Sequence, residues 1–167
     1  MALSATLRMG VEATQTKTAD FESASSRIAK ALSIALTDGT GLGQADRIFK
    51  DTRTLTASAT EDLDLAGSLT DVYGATVSFA RIKALIVLAA SGNTNNVNVT
   101  RPASNGVPLF LAAGDGLPVK PGGGFAWFAP DATGIAVTGG TGDLITLTNS
   151  AGTTSVTYDV VIIGASA

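Results

Sequence analysis

The densest carboxylates in the chain are Glu61, Asp62 and Asp64. On an extended strand Asp62 and Asp64 share a face about 6.5–7 Å apart, a spacing that suits a cation or an acid–base pair. Leu63 and Leu65 take the opposite face. The segment therefore reads as a strand with one wet side, its carboxylates solvated. The Gly-rich stretch Asp38-Gly39-Thr40-Gly41-Leu42-Gly43-Gln44-Ala45-Asp46 has the look of a phosphate cradle but fails both signatures. Gln44 stands where G-x-G-x-x-G begun at Gly39 needs its last glycine, and no Gly-Lys-Ser/Thr follows. It is read as a long flexible or docking loop. Gly139-Gly140-Thr141-Gly142-Asp143 resembles a calcium nonapeptide, but its Asp comes one position early and the motif occurs once.

Nucleophilic chemistry fares no better. Ser and Thr are plentiful, yet the chain holds no His and no Cys. That removes Ser-His-Asp and Cys-His groups, thiol chemistry, disulfides, and zinc sites built on those ligands. A Ser-Lys pair needs a desolvated lysine. Lys83, at the charged start of a strand, and Lys120, before a Pro-Gly turn, are both read as solvated. Pro121-Gly122-Gly123-Gly124 before Phe125-Ala126-Trp127-Phe128 reads as a tight turn into a core strand carrying the single Trp. The expectation is a protein that is not an enzyme and has no cofactor and no metal. A glycosidase resting on two carboxylates alone is the remaining enzymatic alternative.

The elements that carry these residues are strands. Apolar side chains recur with period two at Leu3, Ala5, Leu7, Met9 and Val11, at Leu63 and Leu65, at Val97 and Val99, and at Val156, Tyr158, Val160 and Ile162. Arg81 to Ala90 turns apolar on both faces after its first charges, as a covered central strand does. Turn signals rich in Gly, Pro, Asn and Asp, such as Ser104-Asn105-Gly106 and Pro130-Asp131-Ala132-Thr133-Gly134, recur every 8–15 residues from residue 60 onward. Many short strands at that spacing predict an all-β fold, a jelly-roll-like β-sandwich. The predicted division is an N-terminal extended arm over residues 1–30 and the sandwich over 31–167. Asp20 to Leu36 fits a helix capped by Asp20 as well as a strand from Lys30. The preferred reading is a polar linker near 14–27 followed by a strand at about 30–37.

The 167 residues suffice for one domain with a real core, with 45 % apolar and only 15 % charged residues. Net charge is −3, with +1 on residues 1–53 and −4 on the rest. This argues against nucleic acid as partner, and aromatics do not interleave with Lys or Arg. The most apolar stretch, Ile82 to Ala90, is about half a bilayer span, and the start lacks the pattern of a secretory signal. No membrane partner is expected, and the missing Cys suits a cytoplasmic origin. The sequon Asn98-Val99-Thr100 is read as chance.

Several phrases in order carry a resemblance. They are Leu36-Thr37-Asp38-Gly39-Thr40-Gly41-Leu42-Gly43-Gln44-Ala45-Asp46, Asp51-Thr52-Arg53-Thr54-Leu55, Asp62-Leu63-Asp64-Leu65-Ala66-Gly67, Ala80-Arg81-Ile82-Lys83-Ala84, Lys120-Pro121-Gly122-Gly123, Ala129-Pro130-Asp131-Ala132-Thr133-Gly134 and Val156-Thr157-Tyr158-Asp159-Val160-Val161-Ile162-Ile163-Gly164. Over residues 32–164 the chain resembles small virion structural proteins of tailed bacteriophages, of the capsid decoration or cement kind. The resemblance implies a self-associating jelly-roll-like module, a dimer or trimer, placed on a virion assembled in the bacterial cytoplasm. Its partner would be the major capsid protein or another virion protein. The alternative is a tail or fibre component, including a host-surface binding module. The residues expected to make partner contacts are Leu3, Leu7, Met9 and Val11 of the arm, with Asp38, Gly39, Gly41, Gln44 and Asp46 of the Gly-rich loop. The alternation in the arm suits either strand addition to a neighbour's sheet edge or pairing within its own sandwich.

Overall fold

The computed structural model describes residues 2–167, and every regular element among them is a strand. There are thirteen: β1 (Ala5–Thr18), β2 (Ser23–Leu36), β3 (Arg47–Leu55), β4 (Thr60–Asp64), β5 (Leu69–Thr70), β6 (Thr76–Val77), β7 (Arg81–Ala89), β8 (Val97–Thr100), β9 (Gly116–Val119), β10 (Gly124–Phe128), β11 (Ile135–Ala136), β12 (Leu144–Asn149) and β13 (Val156–Ala165). Two antiparallel sheets form the body. One runs β10-β7-β13-β3 with β11 also on β7, and the other runs β4-β12-β8-β9. The arrangement is consistent with a β-sandwich.

Alternation decides what fills it. Phe49 and Leu55 of β3, Leu85 and Val87 of β7, and Val156, Tyr158, Val160 and Ile162 of β13 meet Leu63 of β4, Val97 and Val99 of β8, and Ile145 and Leu147 of β12 in one core. Each such side chain contributes roughly 1.5–3 kcal/mol by leaving water. Phe125 and Trp127 of β10 pack against the same core, where the sequence places the single Trp. The opposite face of the first sheet starts a second, smaller cluster. There Ala84 and Ile163 meet Leu7, Leu36 and Ala45, with Leu3, Ile34, Phe128 and Val161 around them. Ile163 pairs with Ala84 and Gly164 with Ile82, so Lys83 is an extra residue in β7, a bulge that bends β7 against β13. Gly164 is required there, because a Cβ would sit 2.2 Å from the carbonyl oxygen of Arg81.

The N-terminal third differs from the expected linker. Residues 5–36 form one antiparallel hairpin of two 14-residue strands, with unbroken register from Ala5↔Leu36 to Thr18↔Ser23. Only residues 19–22 turn. The Ser/Thr-rich stretch 14–27 is mostly strand, and neither a linker nor the alternative helix forms. Thr is a good strand former, and backbone pairing across the hairpin supplies the hydrogen bonds that a polar composition alone does not reveal. Position 30 lies inside β2.

The hairpin is about 46 Å long at ~3.3 Å per residue. Its base is seated in the second cluster through Leu7, Ile34 and Leu36. From Arg8 to Ser33 every residue is exposed, so the ribbon stands off the body.

Candidate functional site

Three groups of side chains hold whatever chemistry the chain has. The first lies between the two sheets. Glu61 sits at the same strand parity as Leu63 and so turns inward, away from Asp62 and Asp64. Its carboxylate accepts hydrogen bonds from the Tyr158 hydroxyl and from Arg53 Nη1, the latter at 2.6 Å. Arg53 Nε lies 3.1 Å from Asp51, and the guanidinium sits 5.7 Å from the Phe49 ring centroid. Burial, then the Glu61 carboxylate, push the Tyr158 pKa far up, so its hydroxyl stays protonated as a donor. Burial alone would lower the Arg53 pKa. The hydrogen bond and charge of Glu61 more than offset it and hold the guanidinium charged. The arrangement joins β3 and β13 to β4 across the sandwich. It has no nucleophile beside a free base; Glu61 serves both Tyr158 and Arg53 Nη1, while Arg53 Nε is buried with only the charge contact to Asp51.

The second group is Lys83 with Asp131. The sequence reads Lys83 as solvated, whereas the structure buries it completely. Its ammonium donates to the main-chain carbonyl of Asp131 rather than to a serine, and burial lowers its pKa. The bulge-distorted end of the β7–β13 pairing and the 130–134 loop together enclose it, which strand parity cannot reveal. The Asp131 carboxylate accepts from the Thr133 hydroxyl at 2.6 Å and from the Thr133 and Gly134 N–H groups, each at 2.8 Å. Those bonds, the Thr133 hydroxyl foremost, with Gly134 next and a smaller contribution from Lys83, hold its pKa at about 2. A depressed carboxylate stabilises the fold fully above its unfolded value near 3.8 and loses that contribution as pH falls toward 2. Acid unfolding of Asp131→Asn is therefore expected to show a shallower loss of stability between pH 4 and 2 than the parent. Equal slopes in urea titrations across that window would contradict the assignment.

The third group is the pair Asn95 and Asn149, both buried. Asn95 Nδ2 donates to Asn149 Oδ1 at 3.0 Å, and Asn149 Nδ2 donates to the carbonyls of Thr56 and Thr154 at 3.0 and 2.7 Å. It fastens three loops and satisfies groups that would be costly if unpaired.

The carboxylates singled out from sequence stand apart. Asp62 accepts from the Thr146 hydroxyl and Asp64 from the Ala66 N–H. Asp143 closes its own turn on Gly140 N–H. Among the described residues no cluster of three or more potential metal ligands forms.

The expected contact residues divide into two sets. In the hairpin, Leu7 is buried in the second cluster and Leu3 is half-buried, its N–H donating to Asp38 Oδ1 at 2.9 Å. Met9 and Val11 are 47 % and 53 % exposed. The Gly-rich loop is folded onto the body rather than left long and flexible. Thr37 N–H donates to Gly43 O, Ala45 N–H to Thr37 O, and Gly43 N–H to Pro130 O at 2.8 Å. Gln44 Oε1 accepts from Gly41 N–H. Its side chain lies against Gly39, whose φ of 133° and missing Cβ leave it room. Asp46 accepts from the Ser166 N–H and hydroxyl. These bonds clamp the loop's backbone, and Leu42 stands out from it, 75 % exposed.

The hairpin leaves its surface open. Directly paired residues share a face of the ribbon. One face carries Met9 with Leu32, Val11 with Lys30, and Ala13 with Ile28. Its large apolar members are about half exposed, and Phe21 at the tip is fully exposed. The other face carries Arg8, Gly10, Glu12 and Thr14 opposite Ser33, Ala31, Ala29 and Arg27, with an ion pair between Glu12 and Arg27. A two-stranded hairpin alone is marginal in water, and within the chain only the base of this one is covered. No family model, curated protein or solved structure matches the chain.

Proposed function

We propose that the chain is a non-enzymatic structural protein of a tailed-phage virion, a capsid decoration or cement protein that binds the outside of the shell and bridges its subunits. The observation that carries the reading is the projecting hairpin, a 14-residue ribbon with one apolar face and no cover within the chain. A body with its own core and a stiff apolar extension is built to hold on to neighbours.

The strand pairing supports a jelly-roll reading of the body. Of its eight main strands the first pairs with the last (β3 and β13), the second with the seventh (β4 and β12), the third with the sixth (β7 and β10) and the fourth with the fifth (β8 and β9). That nesting is what a long hairpin rolled into two sheets produces, and jelly rolls recur in capsid and lectin domains. Low surface charge suits broad protein contacts, where unpaired buried charge is costly. In this reading the protein adds contact area across joints between shell subunits and so raises the barrier to rupture.

The test is rebinding to shells that lack the protein. The full chain is expected to co-sediment with such shells and to raise the temperature at which they release DNA. Undiminished binding by a chain lacking residues 1–20 would contradict the role of the hairpin.

A further inference from the structure

We propose that the free edge of β2 takes up an extended strand of a shell subunit, so that the two-stranded hairpin gains a third strand. The inference rests on the virion reading and names how the hairpin grips its partner.

The register of the ribbon tells which backbone groups are free. At the tip Ala19 N–H donates to Glu22 O, so Ala19 and Glu22 form a hydrogen-bonded pair. Such pairs alternate with non-bonded ones along an antiparallel ladder, and the register is unbroken down to Ala5 and Leu36. The residues of the apolar face, from Lys17 with Ala24 to Leu7 with Ile34, therefore bond to each other. Those of the other face turn their N–H and C=O groups outward. On β2 these are Ser23, Ser25, Arg27, Ala29, Ala31 and Ser33, all exposed. Among the described residues none of their backbone groups bonds to the body.

The edges of the body are blunted against further pairing. β4, β9 and β10 are four or five residues long, and β9 contains Pro118. β3 is longer but carries Arg47, Lys50, Asp51 and Arg53. The edge of β2 instead runs for 14 residues without Pro or bulge. Of its two charges, Arg27 reaches back across the ribbon to Glu12 and Lys30 lies on the apolar face. That leaves the small side chains of Ala29, Ala31 and Ser33 beside the outward groups. The β1 edge has Arg8 and Glu12 at the equivalent places, so β2 is the more open of the two. A long, regular edge of this kind is a template for strand addition.

The side chains define the strand that fits. Leu32, Lys30 and Ile28 follow one another on the apolar face of β2. Leu32 and Ile28 are about half exposed, and Lys30 has no carboxylate partner among the described residues. An added strand sets its side chains about 5 Å from these. It therefore carries a carboxylate beside Lys30, an apolar residue two places away on either side, and small residues between them next to Ala29 and Ala31. Backbone bonds supply affinity, and the alternate side chains fix the register.

Hydrogen exchange on the full chain, free and bound to shells that lack it, tests this. In the bound chain the amides of Ala29, Ala31 and Ser33 are expected to exchange at least tenfold more slowly, because each gains an acceptor. Contact through the apolar face alone gives them none. Ala29→Pro with Ala31→Pro removes two outward N–H groups and no bond of the hairpin, and is expected to bind shells at least tenfold more weakly. Thr14→Pro with Thr16→Pro does the same to the β1 edge and is expected to bind like the parent. Circular dichroism with thermal melting checks that both fold. Lys30→Glu probes the same edge without proline at an exposed position, and is expected to weaken binding at least tenfold. Shell binding with unchanged exchange at the three amides would overturn the inference and leave the virion reading standing. So would a β1-edge variant that loses as much binding as the β2-edge variant. A parent that does not bind shells at all would overturn the virion reading and this inference with it.

Discussion

Replacing Glu61 by alanine is expected to cost about 2–4 kcal/mol of stability, most of it from stranded partners rather than from the lost carboxylate itself. Tyr158 is fully buried and would lose the acceptor of its hydroxyl. Arg53 would keep only Asp51, at 3.1 Å. The Arg53 and Glu61 side chains retain 29 % and 22 % exposure, so water offsets part of the loss, which places the figure below that for a fully buried pair. For a chain of this size the melting temperature should fall by roughly 5–15 °C. The combined variant Arg53→Met, Glu61→Leu, Tyr158→Phe removes every member together and is expected to recover most of the loss, since apolar replacement of a buried ion group is often neutral. A drop of under about 2 °C for Glu61→Ala would mean the group behaves as an ordinary surface ion pair.

Shortening the hairpin is expected to have the opposite profile: little change in stability and a large loss of association. Deleting Met9–Thr16 together with Ser25–Leu32 removes eight paired rows, an even number, so the inward and outward parity of what remains is unchanged. The native tip stays, and so do Leu7, Ile34 and Leu36 at the base. Every residue of the removed rows is exposed, so the melting temperature should move by no more than about 2 °C. Binding to virion shells should fall at least a hundredfold, because the apolar stripe is gone. A large fall in stability would show instead that the ribbon is part of the body's own fold.

Much of the body was legible from alternation. The wet side of Asp62 and Asp64, the inward set on the last strand, and the core position of Trp127 each follow from period two with a turn at either end. The same parity also held information that charge obscures. Glu61 shares the parity of Leu63, Arg53 that of Leu55, and Tyr158 that of Val156 and Val160, so all three point into the sandwich. Local pattern places each on the inner face, but only the packing of the two sheets brings them together. Lys83 was beyond reach for another reason, since a bulge and a distant loop bury it. The stretch 14–27 departs from the expected linker because its hydrogen bonds come from a partner strand, whose register no single segment encodes. For the Gly-rich loop, glycine content signals permissive backbone equally well when that backbone is clamped, as it is here by Thr37, Gln44 and Pro130.

The most direct test of the virion assignment is immunogold labelling of particles from the source lysate with antibody to the purified chain. Gold distributed over the heads is the predicted result. Gold confined to tails or tips, or particles with no label at all, would contradict it.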